Sequence, residues 1–369
     1  MDLAMNRREF LKAGAAGLVG CAAAAVPGRL DAKQVSAGMP NVEPASWLPD
    51  DPTPEEIADL KRKWSYWMDP PKGYRHEREV KFIKKFELDD CDAELYLQRN
   101  GPKPHHWQRV LKMFPKNMPK TPVPVVVCPD YYIESIADFE LYDVKKHLPW
   151  SHEAMMRHFA QRGVASITCD AFHMNYVQND MGREDMHRWK VASMALYRDW
   201  PNWNCMAKKV YDIRLTIDML EQDPRFDMSK VGMAGHSLGG QTTLYAGCLD
   251  PRVKAMLCSD FGFRLDQSCW DVLHYWGGHL DTARRADGLE NYQLLTLSGA
   301  KPFCLIAGYY DDDTSVMDMM KAKGYKNRPA DLMFINHLTG HDPTPWALEA
   351  GYNFLIRKLN GIWGNKTWA

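Results

Sequence analysis

The chain has 369 residues, 45% of them hydrophobic and 25% charged, with a formal net charge of -1. This is ordinary globular composition with enough apolar material for a sizeable core, and its near-neutral balance leaves no electrostatic footprint for nucleic acid. No apolar run reaches the roughly 18 residues of a conventional membrane span, and no C-x-x-C or Cys/His spacing suggests zinc, so neither a metal nor a cofactor is expected.

Near the N-terminus, Asn6-Arg7-Arg8-Glu9-Phe10-Leu11-Lys12 precedes a weakly apolar, small-residue run from Ala13 to Val26. A paired arginine in that setting resembles a twin-arginine export signal, which makes the twin-arginine machinery a partner and the periplasm or the medium the destination. Residues 1–32 are therefore set apart from the fold, with Ala32 or Ala37 as cleavage points. Leu18-Val19-Gly20-Cys21 resembles a lipobox, so a lipid anchor at Cys21 stands as the alternative to soluble release. Eight of the nine cysteines follow the signal, and most sit in or beside apolar strand-like runs, where a free thiol behaves as a small hydrophobe. Cys205 with Cys269 could pair in an oxidising compartment, but connectivity cannot be read from sequence and no disulfide framework is required.

Residues 33–75 read as a linker followed by a helix. Thr53-Pro54-Glu55-Glu56 carries a capping box with proline at the first helical position, and Pro70-Pro71 stops the helix begun there. Val80 to Leu88 and Ala93 to Gln98 predict a hairpin about the turn at Asp89-Asp90. Residues 101–124 hold six prolines and read as a surface excursion. From Pro124 the chain alternates. Strands are predicted at 124–128, 164–169, 230–234, 253–258, 302–307 and 332–336, with helices at 152–162, 208–220, 241–248 and 344–359. That rhythm predicts an α/β domain over residues 76–362, with a mostly parallel central sheet and helices on both faces. Two stretches interrupt it, at about 171–207 and 259–300. They carry Trp189, Trp200, Trp203, Trp270 and Trp276, which are expected mainly to pack the insertions onto the sheet.

Gly235-His236-Ser237-Leu238-Gly239 is a G-x-S-x-G pentapeptide between a predicted strand and a predicted helix. The chemistry requires those residue types. A serine on a sharp strand-to-helix turn presents its hydroxyl above the sheet, small residues on either side allow backbones to approach, and the helix start favours developing negative charge. Ser237 is the candidate nucleophile, and Leu238 would supply one oxyanion N–H. A Ser–acid–base order needs a carboxylate and then an imidazole downstream. Asp311 follows the strand ending at Ala307, with Asp312 and Asp313 as rivals. His341 follows the last strand, with His337 as its rival. The spacings are 74 residues from Ser237 to Asp311 and 30 more to His341. His236 is read as local packing.

On these motifs, residues from about 120 to 360 resemble the α/β-hydrolase superfamily. Tyr211-Asp212-Ile213-Arg214, the serine turn and Asp250-Pro251-Arg252-Val253 are similar to its dienelactone-hydrolase-like and acetyl-xylan-esterase-like branch. The resemblance implies a serine hydrolase acting on a small-molecule or glycan ester through Ser237, His341 and Asp311. It also implies a second oxyanion N–H from Tyr131. Relatives carry His-Gly where this chain has Pro129-Asp130, and Pro129 has no N–H to offer. Two other readings compete with the esterase. One is a prolyl-oligopeptidase-type peptidase, for which residues 33–120 are too short to build a propeller. The other is a non-catalytic binding protein on the same scaffold.

Overall fold

The computed structural model describes residues 52–116, 118–120, 122–143, 154–183, 185–311 and 315–360. The segment expected to be an export signal, Cys21, Asp312 and Asp313 lie outside them.

The first helix among the described residues, α1 (Pro54–Met68), forms where the capping box specifies it. Thr53 Oγ1 accepts the Glu56 N–H at 3.2 Å, and the Glu56 carboxylate accepts the Thr53 N–H at 2.8 Å. Such a cap contributes about 1 kcal/mol. The helix buries Leu60, Trp64, Trp67 and Met68, a stripe at helical spacing. Trp64 packs at 5.8 Å from the ring of Tyr245 and 6.3 Å from that of Trp276, which seats α1 against the body of the protein.

Among the described residues nine strands form one sheet: β1 (Val80–Glu87), β2 (Cys91–Arg99), β3 (Trp107–Pro115), β4 (Val123–Val127), β5 (Ala165–Cys169), β6 (Phe226–His236), β7 (Val253–Ser259), β8 (Phe303–Ala307) and β9 (Leu332–Asn336). Their spatial order is β1-β2-β3-β5-β4-β6-β7-β8-β9. The first three pairings are antiparallel; β5, β4 and β6 to β9 run parallel. β3 corrects the expectation of a surface excursion across 101–124. Its prolines stand only at the flanks, and Trp107 to Phe114 supplies an uninterrupted ladder pairing with both β2 and β5. Strands β1 to β3 thus extend the central sheet and build no propeller blade.

Among the described residues the helices after β4 are α2 (Ile133–Ala137), α3 (Met155–Gln161), α4 (Met186–Asp199), α5 (Cys205–Glu221), α6 (Leu238–Leu249), α7 (His279–Arg285), α8 (Tyr292–Leu297), α9 (Ser315–Ala322) and α10 (Pro345–Asn360). Along β4 the side chains alternate between two cores. Val125 and Val127 pack with Ile213, Ile217 and Leu244 of α5 and α6. Val126, with Cys128 just beyond the strand, packs with Phe159 of α3 and with Tyr352 and Leu355 of α10. Burial on both faces is why the parallel strands read as continuous apolar runs.

Both insertions fold onto the first of these cores. Trp189, Trp203, Trp270 and Trp276 are buried there and Trp200 is partly buried against it, so these rings act as packing material. All eight described cysteines are buried and none is in a disulfide. Cys205 and Cys269 are not joined, and both thiols lie in the same core as small apolar groups.

Candidate active site

The parallel strands deliver five segments to one edge of the sheet. The loop holding Tyr131 follows β4, Ser237 follows β6, Asp260 follows β7, Asp311 follows β8 and His341 follows β9. The carboxyl edge of an open parallel sheet is where such folds assemble their sites.

Ser237 adopts φ 52° and ψ -118°, an unfavourable conformation for a residue with a side chain, which costs on the order of 1–3 kcal/mol. Its N–H donates to Ser259 O at 2.9 Å and its carbonyl accepts from Gln241 N at 3.0 Å, so strand and helix both clamp the turn. The flanking glycines are sterically required. A Cβ on Gly235 would lie 2.3 Å from the carbonyl of Gly239, and one on Gly239 would lie 2.2 Å from Pro129 O. The second contact also seats the loop after β4 directly on the start of α6. The Leu238 N–H is in the first turn of that helix, where no intrahelical carbonyl can take it, and the helix start favours negative charge.

His341 follows Gly340, whose φ is 109°. Its Nδ1 lies 2.6 Å from Oδ2 of Asp260, a carboxylate with no solvent exposure. Asp311, the expected partner of this histidine, is elsewhere. The loops after β7 and β8 exchange carboxylates. Asp260 Oδ1 accepts from the N–H groups of Gly308, Tyr309, Tyr310 and Asp311 at 2.8–3.3 Å. Asp311 in turn accepts from Phe261 at 2.9 Å, Gly262 at 3.1 Å and Phe263 at 2.5 Å. Burial, and after it the charge of Asp260, push the Asp311 carboxyl up to about 7, against the three amides that favour its anion. The backbone turn at Asp260, with φ 37°, aims its free oxygen at the imidazole. Asp260 satisfies the criterion used for Asp311, a carboxylate immediately beyond a parallel strand. Asp260 is not among the residues expected from sequence, where the acid is placed beyond the next strand.

His337 is not placed as a base. Its Nδ1 contacts Thr339 Oγ1 at 2.7 Å, and its ring fills the space beside Gly308. His236 lies close, with its ring centroid 4.6 Å from that of His341 and its Nδ1 3.1 Å from Ser259 Oγ.

On the opposite side of Ser237, the Tyr131 N–H donates to its neighbour Asp130 Oδ1 at 2.5 Å. The expectation that this N–H faces the oxyanion therefore does not hold in the structure. The loop is anchored by Arg109, which sequence reasoning missed. Its guanidinium grips Asp170 at 2.6 and 2.9 Å and Glu134 at 2.7 and 3.0 Å. These contacts tie β3 to the end of β5 and to α2, the helix directly after Tyr131-Tyr132. Asp170 also accepts the Ile133 N–H at 3.2 Å.

No family model and no curated protein matches the sequence. Solved structures do match the fold. A glucuronoyl esterase from Solibacter usitatus superposes with a TM-score of 0.62 at 12% identity, covering 85% of this chain and 93% of that one. A candidate acetyl xylan esterase from Bacteroides fragilis NCTC 9343 gives 0.61 at 15% identity, over 88% and 86% of the two chains. A CE15 glucuronoyl esterase from Teredinibacter turnerae T7901 gives 0.60 at 16% identity, over 82% and 84%. The chain has the α/β-hydrolase fold. Within that fold, the strand-to-helix turn at Ser237 and the imidazole–carboxylate pair after β9 and β7 occupy one edge of the sheet, an arrangement able to carry out acyl transfer.

Proposed function

We propose that this protein is an exported serine esterase that hydrolyses carboxylic esters on glycans through Ser237, His341 and Asp260. The observation that carries the reading is the pairing of His341 Nδ1 with the buried Asp260 carboxylate, on the edge where the strained turn presents Ser237. Asp260 would hold the imidazole in the tautomer with its proton on Nδ1. Nε2 would then accept the Ser237 proton as the hydroxyl attacks the ester carbonyl, and return it to the departing alcohol. Water would hydrolyse the acyl-enzyme with the same imidazole as base. The Leu238 N–H would stabilise the charge on the carbonyl oxygen.

The glycan half of the reading is supported by the names of the structural neighbours and by an aromatic face at the mouth of the site. Tyr310 stands edge-on to His341 at 5.2 Å, and beside it Tyr309 is exposed, a flat surface against which a sugar ring can lie. Export is supported by Arg7-Arg8 and the run after it, and among the described residues no helix is long and apolar enough to cross a membrane.

Short-chain nitrophenyl esters, acetylated xylan and methyl glucuronate esters, assayed with wild type and Ser237→Ala, test the activity. Loss of turnover by about 10⁴-fold or more in the variant is expected, and equal rates in the two would refute it. Replacing Arg7 and Arg8 together by lysine should leave the protein in the cytoplasm. Incorporation of labelled palmitate at Cys21 would show anchoring in place of soluble release.

A further inference from the structure

We infer that His236, the residue before the nucleophile, is a positioning residue for the base: its ring packs on the His341 imidazole and holds it in the plane where Nδ1 meets Asp260 and Nε2 can take the serine proton. The inference rests on the esterase reading above.

The three members of the triad are held unequally. Ser237 and Asp260 are fixed by backbone. The Ser237 N–H donates to Ser259 O at 2.9 Å, and Asp260, the next residue, receives four backbone N–H groups on Oδ1. His341 arrives from the loop after β9, two strands away from β7, and its side chain is 36% exposed. Its polar anchor is the 2.6 Å contact of Nδ1 with Asp260. One hydrogen bond at the edge of a ring fixes a point and leaves the plane open, and the torsion that swings an imidazole about its Cβ–Cγ bond is soft. A ring free to swing would carry Nε2 away from the serine, where a misplacement of about 1 Å costs about 10²-fold in rate.

Two rings supply the plane. Tyr310 stands edge-on to His341 with centroids 5.2 Å apart, and His236 lies tilted against it at 4.6 Å and 43°. They come from the ends of β8 and β6, the strands that flank β7. Of the two, His236 is the one tied to the nucleophile. It is the last residue of β6 and stands in register with Ser259 of β7, so the two side chains share one face of the sheet. Its Nδ1 lies 3.1 Å from the Ser259 hydroxyl, which is fully buried. Ser259 therefore carries three constraints on one residue. Its carbonyl clamps Ser237, its hydroxyl fixes the His236 ring, and its chain continues into Asp260. The wall against which the base rests is built on the same residue as the clamp of the nucleophile, so base and nucleophile keep one frame. In this role His236 exchanges no proton with the triad.

The test combines steady-state hydrolysis of a nitrophenyl ester with proton NMR of the far-downfield Nδ1–H of the His341–Asp260 bond, identified by its loss in His341→Gln. His236→Ala should lower kcat by about 10- to 10²-fold with KM within about twofold, and should broaden that resonance. His236→Phe keeps a ring without the nitrogen and should restore kcat to within about threefold of wild type. His236→Asn keeps a polar atom near the position of Nδ1 without the ring and should behave as His236→Ala. Ser259→Ala should cost about threefold, and nothing further when combined with His236→Ala, because the two changes remove one support. A kcat within about twofold of wild type in His236→Ala overturns the inference. So does a loss that leaves the downfield resonance unchanged, or one that Asn repairs and Phe does not, since either marks His236 as a brace of the serine turn alone. If His236→Ala fails to fold, His236→Asn decides by the same criteria. Wild type that neither turns over ester nor labels at Ser237 with a fluorophosphonate instead defeats the esterase reading itself.

Discussion

Replacing Asp260 by asparagine separates the two carboxylates of the site. The Asp260 side chain has two duties: Oδ1 receives four backbone N–H groups, and Oδ2 faces His341 Nδ1 at 2.6 Å. An asparagine must place its carbonyl oxygen where the four amides converge, so its NH₂ turns toward the imidazole. That group can only donate. His341 Nδ1 then becomes the acceptor, and the ring proton moves to Nε2, where it blocks uptake of the serine proton. The same exchange in the well-studied serine protease triad lowers turnover by about 10⁴-fold, equivalent to about 5.5 kcal/mol of transition-state stabilisation. We expect that loss in kcat for Asp260→Asn at neutral pH, with KM little changed and the melting temperature within a few degrees of wild type. Asp311→Asn should stay within about tenfold, because Asp311 reaches only backbone amides. The assay is steady-state ester hydrolysis of the three proteins, with circular dichroism to verify folding. Near-normal turnover in Asp260→Asn together with collapse in Asp311→Asn would refute the assignment.

Other outcomes follow from the same geometry. With its carboxyl pushed up to about 7 from an ordinary 3.8, Asp311 binds more protons folded than unfolded between those values. Its contribution to stability is therefore fully present below about pH 4 and lost as pH rises through about 7, by a few kcal/mol. Urea unfolding at pH 5 and pH 8 should show a drop that Asp311→Asn flattens, and an unchanged slope would contradict it. Lys209 is buried between the rings of Trp189 and Tyr275 with His274 O at 2.7 Å, and burial lowers its ammonium to about 7. Lys209→Met should raise stability by about 1–3 kcal/mol at pH 6, measured as a higher urea midpoint, and a lower midpoint would show that the charge is compensated. Gly239→Ala places a methyl 2.2 Å from Pro129 O, backbone that cannot step aside. It should cost activity by more than 10²-fold even where folded protein is recovered, and normal kcat would show that the loop after β4 is free to move. Arg109→Ala leaves Asp170 and Glu134 buried without their shared partner and should destabilise by about 3–5 kcal/mol in denaturant unfolding.

Much of this architecture was legible from local pattern. Each parallel strand was marked by a short apolar run, and the capping box fixed the start of α1 at Pro54. The turn at Ser237 was specified by the glycines that its close backbone approaches demand. What stayed hidden depended on contacts across the sheet. β3 was obscured by flanking prolines, because composition averages over the ends while the ladder is made by Trp107 to Phe114. α2 and α9 were too short to show a period. The choice between Asp260 and Asp311 rests on a backbone turn that neither residue's neighbours announce. The fate of the Tyr131 N–H rests on Asp130 folding back on it, a one-residue interaction invisible to any spacing rule.

The exchange of carboxylates between the loops after β7 and β8 has an evolutionary consequence. Gly308 to Asp311 act on His341 through the ring of Tyr310 and, mainly, through Asp260, whose carboxylate rests where their four N–H groups set it. Substrate preference can drift through the exposed side chain at Tyr309 at little cost, whereas the Tyr310 ring is held against His341. Insertions and deletions there are another matter, because any change of length would swing the amide cluster away from Asp260 and detune a base two strands distant. Selection on this rim is therefore free to explore composition while holding length constant, which is the signature to seek when homologous sequences are aligned.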